Sequence, residues 1–346
     1  MIECISIVNK IIFQEKGDCL MSKEVKKIGI LTSGGDAPGM NAAIRCVVRS
    51  AIAKGIEVVG IKHGYSGLIN KEFVNMNRAS VSDIIHRGGT ALYTARCLEF
   101  KEDAGIEKGK QACIDEGIDG IVVIGGDGSY RGARDLSQKG IPCVGVPGTI
   151  DNDISSTDYT IGYDTAMNTV IEMVDKLRDT MQSHERCSVV EVMGRRAGHI
   201  ALNTGIACGA TAIITLEEEF DFKRDIIDKI NAARNMSDGK KHFIIIVSEG
   251  YGNAAEIAKK IEEETGVESR ECILGHVQRG GAPTLRDRVL ATRMAYHAVE
   301  LLSKGIGNRV VGIRGDKIVD YDILEGLNMK KEFDHELYEI SKIVSL

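Results

Sequence analysis

Short runs of continuous apolar, β-branched residues alternate with stretches of helical period along most of this 346-residue chain. The runs lie in 27–36 (KIGILTSGGD), 57–65 (EVVGIKHGY), 120–129 (GIVVIGGDGS), 143–153 (CVGVPGTIDND), 188–198 (SVVEVMGRRAG), 212–219 (AIITLEEE), 243–252 (FIIIVSEGYG) and 309–319 (RVVGIRGDKIV). Between them the spacing predicts helices over 39–54, 106–116, 130–139, 163–182, 223–236, 253–265 and 285–303. In the fourth of these, Val170, Val174, Leu177 and Met181 form one apolar stripe. Strands that are apolar throughout, rather than in alternation, are buried on both faces, as in parallel sheets covered by helices. The expected fold class is α/β, with two lobes that share a cleft, and the chain crosses between them more than once.

Composition narrows the function. Hydrophobic residues make up 43% and charged residues 27%, normal for a globular enzyme. Glycine is abundant at 39 residues and proline scarce at 4, which favours tight strand-to-helix turns over disordered linkers. A net charge of −6 argues against general nucleic-acid binding, so an anionic ligand would need locally placed Arg and Lys. The nine cysteines include no C-x-x-C pair. Cys46, Cys113, Cys143, Cys208 and Cys272 read as small core residues, and a reducing cytoplasm suits them. No apolar run reaches the roughly 18 residues of a membrane span. The first twenty residues lack the basic region and small-residue site of a signal peptide, and Met21 precedes the first ordered pattern. They read as an early start or a frayed tail.

Nearly every strand ends in a Gly, Asp, Glu or Arg cluster, and ligands of parallel sheets bind at the carboxyl ends of strands. In LTSGGDAPGMNAA, Gly34 and Gly35 let backbone N–H groups approach an anion at a helix start, although plain α/β packing also explains a glycine turn. No G-x-x-x-x-G-K-[ST] motif exists. In VVIGGDGSYRGA, Gly125, Gly126 and Gly128 surround Asp127, and Ser129 stands at a helix start. Asp127 is either a helix N-cap or a carboxylate that shares Mg²⁺ with phosphate oxygens, and the three glycines favour the second.

The stretch GVPGTIDNDI places Asp151 and Asp153 two residues apart after Thr149. An extended segment would put both acids on one face, whereas a turn would make them diverge. A hydroxyl attacking phosphorus needs a base, and a metal nearby must be offset by acid. Asp151 would be the base, Asp153 would tune the site at the metal or behind it, and Thr149 would donate to the moving phosphoryl group. An Asx turn explains one Asp and Asn152, not the pair. Arg96, Arg186, Arg195, Arg270 and Arg279 recur near other strand ends, either as surface ion-pair partners or as forks for a phosphorylated substrate. His276 is a core histidine or a ligand, and Glu249 a helix-start acid or a partner for a sugar hydroxyl.

These motifs, with RGGT, TIGYDTA, SHER, EVMGRRAG, GHVQRGG and the Asp287-Arg288 pair, resemble the bacterial ATP-dependent 6-phosphofructokinases from about residue 26 to the C-terminus. The resemblance implies transfer of a phosphoryl group from Mg-ATP to the C1 hydroxyl of fructose 6-phosphate, the committed step of glycolysis. It implies Asp151 as proton acceptor and Asp127 as the Mg²⁺ ligand, with Gly35, Tyr65, Arg96, Cys97, Gly126, Asp127, Gly128, Ser129 and Gly132 around the nucleotide. Thr149, Ile150, Met193, Gly194, Arg195, Glu249, His276, Val277, Gln278 and Arg279 would hold the sugar phosphate. Arg186 and Arg270 would reach in from a neighbouring subunit of a homotetramer. The implied lobes are 26–162 plus 278–328, which binds ATP, and 163–277 plus 329–346, which binds the sugar phosphate; 1–25 is an extension.

The family also carries an effector site for ADP or phosphoenolpyruvate. Arg45 and Arg49, one helical turn apart, match it together with Arg78, Ser82, Asp83, Arg178, Gly209, Thr211, Lys240, Lys241 and His242. Thr211 replaces a usual acid, Asp238 stands where a basic residue is common, the loop before Lys240 is about three residues longer, and His199 replaces an Asp. These departures bear on the sign and strength of allosteric control. Relatives that use pyrophosphate carry a bulky Asp and Lys where this chain has Gly128 and Gly148, so ATP is the expected donor. Lipid and NAD kinases share GGDG without PGTIDND and GHVQRGG, a bare nucleotide sensor would not need both Asp151 and Asp153, and GGDGSYRGA lacks the spacing of a dinucleotide-binding turn.

Overall fold

The structure, a computed structural model, describes residues 25–236 and 239–345. The extension, save Val25, and Asp238 lie outside them. Five strands come first: β1 (Lys27–Ser33), β2 (Glu57–Ile61), β3 (Phe73–Met76), β4 (Gly120–Gly125) and β5 (Cys143–Pro147). Then come β6 (Cys187–Val192), β7 (Ala212–Ile214), β8 (Phe243–Ser248) and β9 (Ser269–Ile273), and last β10 (Arg309–Arg314) and β11 (Lys317–Asp322). They build two sheets, ordered β11-β10-β5-β4-β1-β2-β3 and β7-β8-β6-β9. Every pairing is parallel except those of the edge strands β3 and β11. All residues of β4 and β8 are buried, which is why their apolar runs lack alternation.

Helices α1 (Met40–Ala53), α2 (Gly64–Ile69), α3 (Asp103–Glu116), α4 (Asp127–Gln138) and α5 (Tyr163–His184) precede α6 (His199–Ala207), α7 (Asp228–Arg234) and α8 (Ala254–Thr265). The long α9 (Leu285–Ser303) and two short helices, α10 (Ile323–Asn328) and α11 (His335–Val344), close the chain. Ile28, Ile30, Val122 and Val144 of the larger sheet share one buried cluster with α1 and α9. The same cluster runs on through Val170 and Val174 of α5 to Val190 and Val192 of β6, so the lobes join through apolar contact. The opposite face of the larger sheet packs on Tyr65, Ile106 and Leu136, and that of the smaller on Ile230, Ile257 and Ile261. Each sheet is therefore sandwiched by helices.

Each predicted apolar run contains a strand, and each predicted helix forms. The stretch 223–236 opens with a π-helical turn, Lys223–Ile227, before α7. Three strands escape the pattern. β9 is an edge strand whose Arg270 and Glu271 are exposed, so it never needed an apolar run. β11 folds back on β10 through Gly315 and Asp316, both at positive φ, which turns the single expected run 309–319 into a hairpin. β3 is only four residues long. Helix α6 escapes for the opposite reason, since HIALNTGIA has too little polar face to show a period.

The start of α5 lacks a side-chain cap of its own, and its N-cap is Gly162. Asp287, from the first turn of α9 and fully buried, accepts hydrogen bonds from Gly162 N–H (2.9 Å), Thr165 N–H (2.8 Å) and the Thr165 hydroxyl. In return Thr284, the N-cap of α9, donates its hydroxyl to Asp164 Oδ2 at 2.7 Å and accepts from Asp287 N–H. Two helix N-termini thus cap each other across the lobe junction, satisfying donors that neither helix can satisfy alone. Removing the acid strands three buried donors. Asp287→Ala is expected to lower unfolding stability by about 2–4 kcal/mol, measured by urea denaturation with circular dichroism.

Candidate active site

Strands β1 and β4 are neighbours, but the chain leaves β1 toward β2 on one side and β4 toward β5 on the other. A crevice opens where strand order reverses in this way, outside the carboxyl ends. The glycine clusters after β1 and β4 stand at that point. Gly34 takes φ 90°, and a Cβ on Gly35 would lie 2.7 Å from Arg279 Nη1. Arg279 lies across this turn, donating to Asp36 O at 3.2 Å. A side chain at Gly35 would push the Arg279 guanidinium from this position.

On the β4 side, α4 begins at Asp127 with Gly126 as N-cap and no side-chain cap bond. The capping reading of Asp127 falls away. Gly126 and Gly128 face open space. Ser129 is buried and ties the turn to β1 by donating to Ser33 O at 3.0 Å. The Tyr65 hydroxyl donates to Ser129 O at 2.6 Å, and its ring lies over Gly132 and stacks on Phe100. Tyr65 is thus a buried prop under the start of α4. Cys97 is half-buried against the same cluster, and Arg96 is exposed.

After β5 the chain enters the segment that carries Thr149, Asp151 and Asp153. No helix follows until Tyr163, so these acids cap nothing. Asn152 stands between them at φ 52°, which breaks the extended alternation that would set both acids on one face, and Asp153 reaches Arg195 while its charge still acts on Asp151. Ile150, between Thr149 and Asp151, is fully buried. Asp151 is 6% exposed, its N–H donates to Thr149 Oγ1 at 3.2 Å, and its Oδ1 has no hydrogen-bond partner among the described residues. Burial, reinforced by the charges of Asp153 and Glu249 and opposed by Arg279, pushes its carboxyl up to about 6.

The second sheet supplies the opposite wall. Met193, Gly194 and Arg195 follow β6, and Glu249 follows β8. Arg195 takes φ 60°, and the N–H groups of Gly194 and Arg195 both donate to Glu249 Oε1. Met193 N–H donates to Oε1 of the buried Gln278 at 3.1 Å. The Arg195 guanidinium is exposed and reaches Asp153 Oδ2 at 3.7 Å, so the walls meet there. Asp127 lies within the same field: burial and the charge of Asp153 raise its carboxyl, with Arg131 and Arg195 opposing. The cleft therefore joins Asp127, Asp151, Asp153 and Glu249 with Arg195 and Arg279, drawn from both sheets. His276 and Val277 are exposed at its rim.

The phosphofructokinase family matches residues 27–302. This chain belongs to that family. It is 58% identical over 322 residues to the ATP-dependent 6-phosphofructokinase of Bacillus cytotoxicus, covering 93% of this chain and all of that one. Phosphofructokinase from Saccharomyces cerevisiae superposes with a TM-score of 0.81 at 36% identity, over 87% of this chain and 45% of the yeast chain. A pyrophosphate-dependent phosphofructokinase from Marinobacter aquaeolei gives the same TM-score at 22% identity, over 90% and 86% of the two chains. At that identity the likeness is of fold alone.

Some residues that the phosphofructokinase resemblance assigns to the site stand apart from this cleft network. Arg186 and Arg270 both bind Glu268, at 2.8 and 2.6 Å, on the β9 edge. Of the effector set, Arg178 donates to Cys208 O beside Gly209, which takes φ 58°. Burial and the charge of Arg178 lower Lys240, and burial, Lys240 and Arg178 lower His242, so these three side chains gather in one place. Lys241 turns to Glu185 at 2.7 Å. Thr211 is buried, and its hydroxyl has no partner among the described residues. Arg45 is half-buried; Arg49, Arg78, Ser82 and Asp83 are exposed.

Sequence reasoning missed two supports. Glu217 Oε1 accepts Gly198 N–H at 2.7 Å and braces the loop after β6 beside His199, whose ring is lowered by burial and by Lys331. Lys331 donates to Asn152 Oδ1 at 2.8 Å. One acid in the run Glu217–Glu219 and one lysine of the pair Lys330-Lys331 carry no local signal; their partners lie elsewhere in the sequence. Asp151 itself supports a stability prediction. Its folded value lies above that of an unfolded aspartate, so the contribution is full below about pH 4 and lost as pH rises through about 6. Asp151→Asn is expected to raise Tm at pH 7.5, with the gain vanishing near pH 4, as read by calorimetry at both values.

Proposed function

We propose that the chain is an ATP-dependent 6-phosphofructokinase, which phosphorylates the C1 hydroxyl of fructose 6-phosphate to give the 1,6-bisphosphate and ADP. The observation that carries the mechanism is the buried, unpartnered Oδ1 of Asp151, raised to about 6 and ionised at neutral pH. It takes the hydroxyl proton as the sugar oxygen bonds to the γ-phosphorus and the bond to ADP breaks. The hydroxyl of Thr149 accepts from Asp151 N–H and keeps its own hydrogen for a phosphoryl oxygen. Arg195 and Arg279 offset the charge that spreads over the transferred oxygens.

Asp127 suits Mg²⁺. Among the described residues no group of three or more His, Cys, Asp or Glu could hold a metal by itself, so the remaining ligands would be phosphates and water, as Mg²⁺ prefers. Bound there, the ion would neutralise the phosphates. Gly126 and Gly128 leave the open space a nucleotide requires, and a side chain at Gly128 would intrude on it. Gly148 differs: a Cβ there would press on Ile124 and Met40 in the core.

The wider reading keeps the lobes at 26–162 plus 278–328 and 163–277 plus 329–346. It places the enzyme in the cytoplasm as a homotetramer, with Arg186 and Arg270 serving a neighbouring active site; the exposed Ile273 beside them supports a contact surface on that edge. The cations Arg178 and Lys240, with His242 beside them, support an anionic effector, ADP or phosphoenolpyruvate. Kinase activity on fructose 6-phosphate is expected with ATP and absent with pyrophosphate. Asp151→Ala is expected to lose about 10²–10⁴-fold in kcat, and wild-type kcat/KM is expected to fall as pH drops through about 6. Turnover with pyrophosphate would overturn the donor assignment, and an active Asp151→Ala the base.

A further inference from the structure

Lys331 lies in the segment 329–334 that leaves α10, beside the larger sheet, and leads to α11, where the Tyr338 hydroxyl donates to Ile213 O of the smaller sheet. Its ammonium turns inward to meet Asn152 Oδ1 (2.8 Å), Thr157 O (3.0 Å) and Asp158 O (3.3 Å). Burial pushes it down to about 8, with Asp158 and Asp153 opposing the fall and Arg314 adding to it. A cation kept out of water needs such acceptors. What matters is which atoms they are.

Asn152 is a buried, non-glycine residue at φ 52°, set between the two acids of the cleft. Asn tolerates a left-handed backbone better than most residues, and in a buried site the surroundings must still hold it there. The side-chain amide supplies that hold. Its Oδ1 accepts Thr160 N–H and Lys331 Nζ, and its Nδ2 donates to Asp158 O. Asp158 in turn is pinned by Arg314 at 2.7 Å and by Gly315 N–H at 2.8 Å. Lys331 is the one member of this network that comes from the segment joining the lobes.

We propose that Lys331 is a positioning residue for phosphoryl transfer, holding the Asn152 turn so that Asp151 and Asp153 keep their places in the cleft. The proposal rests on Asp151 as base. None of the atoms Lys331 touches belongs to the Met193–Arg195 wall or to Glu249, so its loss is expected to disturb the aim of the base and leave the grip on the sugar phosphate in place. Lys331→Met, in the full chain, is expected to lower kcat by about 10–100-fold, the scale of a small misplacement of a reacting group. KM for fructose 6-phosphate is expected to stay within about twofold, the pattern of an interaction made only in the transition state.

Lys331→Arg keeps a cation with several donors and is expected to recover most of the rate. Asn152→Gly keeps the left-handed backbone accessible but removes the amide; adding Lys331→Met to it is expected to cost little more, because the two act through one contact. A Lys331→Met enzyme with wild-type kcat, a loss confined to KM, or additive losses in the double variant would each overturn the proposal. If Lys331→Met does not fold, Lys331→Arg and Asn152→Gly still decide it: wild-type kcat in Asn152→Gly overturns it, and a rate lost in Asn152→Gly but kept in Lys331→Arg supports it. Asp151→Ala in the same assay separates the two readings. An active Asp151→Ala removes the base itself, whereas an inactive one beside an unaffected Lys331→Met removes only the positioning role.

Discussion

An ionised carboxylate taken out of water loses solvation worth several kcal/mol unless partners replace it. Asp151 is buried, one of its oxygens has no partner among the described residues, and two further acids add their charge to the same cleft. The surroundings must therefore hold it there against its own preference to turn toward solvent or a proton. The result is a carboxylate with raised affinity for a proton, one oxygen of which meets no donor among the described residues. Much of the local architecture can be understood as the means of keeping that oxygen in place.

Those means come from distant parts of the chain. Backbone geometry does the nearest work: Asn152 bends the segment between the acids, and Gly35 makes room for Arg279, whose charge acts on Asp151. The second sheet contributes a loop in which a positive-φ Arg195 is braced by Glu249, while Glu217 holds the loop's far end. The reciprocal caps of Asp287 and Thr284 fix the helices behind both walls. A site assembled from the ends of strands in two sheets can be only as rigid as the junction between them, and here the junction is an apolar cluster plus a closed polar lock.

Much of this was legible in the sequence, for identifiable reasons. Parallel strands buried on both faces must be apolar throughout, so β1, β4, β5, β6, β8 and β10 announced themselves, and the clusters at their ends marked the cleft. Helices with one wet face, such as α5 and α9, announced themselves by period. Elements freed from those demands did not: the exposed edge β9, the short β3 and the nearly all-apolar α6. The resemblance named residues by motif and could not distinguish those that face the cleft from those that support it. Tyr65, Ile150 and Gln278 are buried, and Tyr65 and Gln278 hold backbone groups of Ser129 and Met193.

Sequence alone determined the order of elements, the parallel character of the sheets and which carboxylates lie at strand ends, because burial on two faces and tight turns constrain residue type locally. Tertiary structure alone decided which carboxylate is buried with one oxygen lacking a partner among the described residues, which arginine crosses to which wall, and that a lysine some 180 positions away holds Asn152. Those outcomes depend on distances between segments remote in the chain, and the solvation and charge of a group are set by whatever folding brings beside it.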